Sequence, residues 1–128
     1  MKELTKAEEQ VMQYLWKLKK GFLKDIVEQF PEPRPAYTTV STVIRVLVKK
    51  GFIGYTTYGK VHEYYPEVTR RTYAKSYFSS VFSSFFDKSA SGFTSFFTKE
   101  TELSLTDLEE MKQIIEEQIE ARKEERND

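Results

Sequence analysis

Residues 37–66 read YTTVSTVIRVLVKKGFIGYTTYGKVHEYYP, and this one stretch changes from a helical to a strand period. Val40, Val43, Ile44 and Leu47 recur at three- and four-residue spacing, so they share one face of a helix. Thr38, Ser41, Thr42, Arg45 and Lys49 occupy the other face, which carries hydroxyls and two cations but no acid and no large apolar group. Gly51 stops the helix, and Lys49 and Lys50 sit in its last turn, where cations suit the carbonyl end. Two β-rich runs follow, 53–58 and 61–65, joined through Gly59-Lys60, which is a hairpin signal. A helix leading straight into a short hairpin cannot bury its apolar face alone. The preceding residues must supply the rest of a small core.

Residues 1–36 have the pattern to do so. Thr5-Lys6-Ala7-Glu8 has the form of a capping box. The helix it opens places Ala7, Val11, Leu15 and Leu18 on one face, widened by Tyr14 and Trp16, and Gly21 is expected to end it. A short helix fits 23–30, with Leu23, Ile26, Val27 and Phe30 inward. Pro31-Glu32-Pro33-Arg34-Pro35 cannot continue a helix and forms a stiff turn. Trp16, Phe22 and Phe52 are the expected large members of the core. Helix, short helix, turn, helix and two-stranded hairpin is the element order of a winged helix-turn-helix. The polar face of its third helix can slide past phosphates and reach base edges.

Charge separates the chain into two parts. Residues 1–66 carry 11 Lys and Arg against 7 Asp and Glu, a net of +4; residues 67–128 carry 9 against 13, a net of −4. A basic first module, 1–66, and an acidic second one, 67–128, suggest different partners. The chain has no cysteine, which excludes disulfides and cysteine-ligated metal sites. It has one histidine, His62, read as a strand side chain rather than a ligand or general base. No Gly-rich phosphate loop or converging acid pair is present, so the expectation is no enzyme, no metal and no cofactor. No apolar run approaches the ~20 residues of a membrane span, and MKELTKAEEQ lacks a signal-peptide core, so a cytoplasmic protein is expected.

The runs LTKAEEQVMQYLWKLKKGFLKDIVEQF, YTTVSTVIRVLVKKGFI and YGKVHEYYP resemble the penicillinase-repressor family of bacterial regulators. Its T-x-A-E start, its Y-T-T-V-x-T-x-x-x-x-L-x-x-K-G run and the Y-x-P end of its wing are all present, as is an L-S-x-x-D-x-E-E-M-like stretch at 103–111. The resemblance implies a dimeric winged-helix repressor that binds double-stranded operator DNA. It also implies departures. Family members often carry a basic residue where Ser41 stands, and another where Val46 stands. Here the nearest arginine is Arg45, which implies a different base preference. The cysteine pair of the copper-responsive branch is missing. In the antibiotic-responsive branch a membrane metalloprotease sensor ends repression by cutting an Asn-Phe bond before the last helix. The matching bond is Phe96-Phe97, of which Phe97 agrees and Phe96 does not.

Residues 67–128 read as a helical dimerisation module. A helix over 68–86 carries Tyr73, Tyr77, Val81 and Phe85 in one row and Phe78, Phe82 and Phe86 in a second. Ser89-Ala90-Ser91-Gly92 is expected to break the pattern, before a short apolar element at 93–97. The last helix aligns Leu108, Met111, Ile115 and Ile119. Seven of the ten Phe lie between 78 and 97, more than a short helical tail can hide in a monomer. A two-fold interface is therefore expected, built from Tyr77, Phe78, Val81, Phe82, Phe85 and Phe86 with the last-helix stripe.

The candidate DNA contacts are Tyr37, Thr38 and Thr39 at the start of the third helix, Ser41, Thr42, Arg45 and Lys49 along it, and Lys60 at the wing tip. The competing reading is a protein-interaction module on the same scaffold, since fold does not settle function. The polar face favours DNA, because a protein-docking face usually carries exposed aromatic or aliphatic groups.

Overall fold

The computed structural model describes residues 1–127. The elements run α1 (Lys6–Leu18), β1 (Gly21–Phe22), α2 (Leu23–Gln29), α3 (Tyr37–Lys49), β2 (Ile53–Tyr58), β3 (Val61–Pro66), α4 (Arg70–Phe86), α5 (Ala90–Glu100) and α6 (Leu105–Asn127). The protein is mainly helical with one small sheet, a winged helix followed by further helices. Two compact units divide it, residues 1–80 and 81–128.

In the first unit α1 starts at a reciprocal cap. Thr5 Oγ1 accepts from Glu8 N at 3.2 Å, and a Glu8 carboxylate oxygen accepts from Thr5 N at 2.9 Å. The inward residues of α1 are Glu8, Val11, Met12 and Leu15, while Ala7 is exposed. Val11 and Leu15 face inward as expected and Leu18 packs partly buried on the core, but Met12 joins the stripe and Glu8, anchored in the cap, takes the place expected of Ala7. Gly21 does not end α1. Lys19 does, at φ 72, and Gly21 opens β1.

β1 is the element that periodicity did not reveal. It pairs antiparallel with β3, Gly21 opposite Tyr64 and Phe22 opposite Glu63, and makes the sheet three-stranded in the order β1-β3-β2. Two residues carry no period, so only the pairing identifies them. β2 and β3 form the expected hairpin, with Thr57 opposite His62 and Tyr58 opposite Val61. Gly59 takes φ +63 and leads the two-residue turn, as a type II′ turn requires.

The core of this unit gathers Val11, Met12 and Leu15 from α1, Ile26 and Val27 from α2, Val40, Ile44 and Leu47 from α3, and Phe52 and Ile53 beyond. Phe52 is buried as expected; Trp16 and Phe22 are half-buried at its margin. Trp16 Nε1 donates to Val68 O at 2.8 Å. Tyr73 of α4 also belongs here: it is 7% exposed, packs its ring near Phe52 and Trp16, and accepts from Leu4 N at 2.9 Å. The unit therefore continues past Pro66. The Pro-rich turn is held by Arg34, which donates to Phe30 O and Glu28 O at the end of α2.

In the second unit, Asp87 and Lys88, both at positive φ, end α4. The break falls there and not at 89–92. Ser89 caps α5, accepting from Gly92 N at 3.0 Å, so Ala90, Ser91 and Gly92 are its first turn. Phe93 lies 5.5 Å from both Phe86 and Phe97 between ring centres, and Phe96 lies 5.3 Å from Phe86. Ser104 and Asp107 cap α6 reciprocally. No residue of α5 or α6 is buried.

Candidate nucleic-acid interface

The candidate surface is the outward face of α3 with the wing beside it. The inward face holds Val40, Ile44 and Leu47, fully buried, with Val43 partly so. That burial fixes the rotation of the helix and turns Thr38, Thr42, Arg45 and Lys49 to solvent, with Ser41 half-buried. Thr42 Oγ1 donates back to Thr38 O at 2.9 Å, which leaves its lone pairs outward. Tyr37 is 49% exposed and Thr39 is also exposed. No side chain caps the start of α3, so its first N–H groups remain available to an anion. Lys60 is exposed in the wing turn.

The structure brings part of this set together. Ser41, Ile44, Arg45 and Val48 of α3 and Tyr55, His62 and Tyr64 of the wing line a surface recess of about 330 Å³. Alternation along the hairpin puts Tyr55, Thr57, His62 and Tyr64 on one side of it. The rings of Tyr55 and His62 lie 4.3 Å apart, and a 3.0 Å hydrogen bond joins Thr57 Oγ1 to His62 Nδ1. Burial pushes the Tyr64 phenol above its usual value and Tyr55 adds to the rise, while Arg45 offsets part of it. The aromatic half of the recess was readable from the period of two around Gly59-Lys60. Its meeting with Arg45 was not.

Glu8 is the residue that sequence reasoning missed. It is the sole charged residue of the core among the described residues, and Lys50 Nζ donates to both its oxygens at 2.9 and 2.7 Å. Burial alone would raise the Glu8 carboxyl. The Lys50 hydrogen bonds and charge, with those from Thr5, outweigh it and hold the carboxyl below its usual range. The pair joins the start of α1 to Lys50, the C-cap of α3, and so ties these two helix ends together. Lys50 is therefore spent on Glu8, whereas Lys49 faces outward.

Of the expected interface residues, Tyr77 and Phe78 on α4 are 44% and 43% exposed. In the second unit Phe85 is 77% exposed and Val81, Phe82 and Phe86 are half-buried. On α6, Leu108, Ile115 and Ile119 are exposed and Met111 is half-buried. Phe96 is exposed and Phe97 half-buried, both inside α5. The element expected at 93–97 is thus part of an 11-residue helix, which continues through Thr98, Lys99 and Glu100. Among the described residues no helix is long and apolar enough to cross a membrane, and no cluster of three His, Cys, Asp or Glu is placed to hold a metal ion.

Comparison with known proteins matches residues 4–117 to the family model of the penicillinase repressor. A solved structure of the CopR repressor is 30% identical and covers 51% of this chain and 96% of its own, with a TM-score of 0.43. No curated protein sequence matches.

Proposed function

The chain belongs to the penicillinase repressor family of transcriptional repressors, and from that premise we propose that it acts as a homodimer that binds double-stranded operator DNA through α3 and the wing. The observation that carries this reading is the outward face of α3. Thr38, Thr42, Arg45 and Lys49 are all exposed on a helix whose opposite side is locked into the core. Short hydroxyl side chains allow close approach to the duplex, Arg45 has the reach and fork to read a guanine, and Lys60 meets a phosphate.

Dimerisation is supported by what the second unit leaves uncovered. Burying Phe85, Leu108, Ile115 and Ile119 against a second copy stabilises by roughly 1.5–3 kcal/mol for each side chain fully covered. A cut in α5 would detach that α6 stripe, and we take cleavage at Phe96-Phe97 by a membrane metalloprotease sensor as the release route. The bond sits within a helix, so α5 must unwind locally before a protease can hold it extended.

Footprinting and binding titrations on the promoter beside the gene test the DNA reading. Lys60→Ala weakens binding to all sequences and lowers the salt slope by about one unit. Arg45→Ala costs roughly 1–3 kcal/mol at one base position and relaxes choice there. Equal losses for Arg45→Ala on operator and random DNA refute base reading, and a wild-type protein that binds no duplex refutes the function.

A further inference from the structure

His62 is the single histidine of the chain, and it lies where the wing faces α3. The residue is half-buried, its ring packed at a tilt against Tyr55 and joined through Nδ1 to Thr57 Oγ1 by a hydrogen bond. Nε2 has no hydrogen-bond partner among the described residues. The ring lines two adjoining surface recesses. One, of about 330 Å³, it shares with Ser41 and Arg45; the other, of about 500 Å³, it shares with Lys24, Asp25 and Lys60. His62 thus shares one recess with the cation of α3 and the other with the cation of the wing tip.

The titratable and charged groups that line these recesses with His62 are Arg45 from α3, Tyr55 from β2, Tyr64 from β3, Lys24 and Asp25 from α2, and Lys60 from the turn. Asp25 is the one acid among them, and a carboxylate oxygen of it accepts from Phe22 N at 2.9 Å. Neither Arg45 nor Lys60 has an ion-pair partner among the described residues. An anion placed against an imidazole favours its charged form. Building on the reading of α3 and the wing as a DNA surface, we propose that His62 contacts a DNA phosphate and takes up one proton from solvent when the duplex binds. The hydrogen bond to Thr57 survives the change. The hydroxyl donates to a neutral Nδ1, and rotates to accept once Nδ1 carries a proton. Affinity for DNA then rises as pH falls through the range where imidazoles titrate.

A phosphate contact does not depend on sequence, so the probe is a rhodamine-labelled duplex of random sequence, about 30 base pairs long, bound by the full-length protein and read by fluorescence anisotropy. Between about pH 8 and about pH 6 the wild-type dissociation constant falls by about tenfold, and the salt slope steepens by about one unit. His62→Gln flattens both. His62→Lys carries a permanent cation, so its affinity is also flat with pH, but with the steeper salt slope throughout. A wild-type profile without pH dependence overturns the proposal, as does a His62→Gln or His62→Lys protein that keeps the wild-type pH profile. Failure of the wild type to bind any duplex at any pH is a different result, and removes the DNA reading along with this one.

Discussion

Replacing Glu8 by Gln isolates the charge of the buried pair, because Gln keeps the size of Glu and still accepts from Thr5 N–H in the capping box. What is lost is a carboxylate that takes two hydrogen bonds from the Lys50 ammonium. Stranding a fully buried partner costs about 3–5 kcal/mol, but the Lys50 side chain keeps 28% of its surface in water and can rehydrate. The expected loss is therefore smaller, about 2 kcal/mol. Glu8→Ala also removes the cap, for about 1 kcal/mol more. The assay is urea unfolding at neutral pH, followed through the single tryptophan, Trp16, which lies in the affected unit. With a slope near 1–2 kcal/mol per molar, the midpoint falls by about 1–2 M for Glu8→Gln. The pH dependence has a definite sign. The folded carboxyl is held below its usual value, so its contribution is fully present above the ordinary glutamate range and is lost as pH falls through the folded value. The gap between wild type and Glu8→Gln should then close on the acid side. A loss under about 0.5 kcal/mol, within the range of ordinary surface substitutions, or a gap that stays constant into acid, refutes the account.

Ending the chain after Ser80 should leave the winged unit at least about 3 kcal/mol more stable than ending it after Pro66, because the shorter form lacks the buried Tyr73; chemical denaturation of the two compares them directly. Ile115→Asp puts a charge on the exposed α6 stripe, and sedimentation at micromolar concentration should show monomer where the wild type shows dimer. Co-expression with a membrane metalloprotease encoded beside the gene should produce a fragment ending at Phe96 on induction, read by mass, and a synthetic peptide spanning 88–102 should be cut faster than the folded protein, whose bond lies inside α5. An intact chain under full induction would remove proteolysis as the release route.

How far the sequence reaches follows from the range of the interactions involved. The stripe Val40, Val43, Ile44 and Leu47, the stop at Gly51 and the hairpin about Gly59-Lys60 are local patterns, each contained within a few residues, and they return in the structure nearly where the period placed them. The polar face of α3 follows from the same period, since burying one side of a helix exposes the other. Caps are local too, but their meaning is ambiguous. Thr5 is legible as a cap, whereas Ser89, part of the expected breaker, caps α5. What tertiary structure alone decided are pairings between distant residues: Glu8 with Lys50 across 42 positions, Leu4 with Tyr73 across 69, and β1 with β3. None leaves a periodic trace, because a buried acid, a two-residue strand and a single aromatic acquire their roles only when the chain brings a partner to them. The recess joining Arg45 to Tyr55, His62 and Tyr64 is of this second kind. Its residues were visible one by one, and their proximity came from packing α3 against the wing.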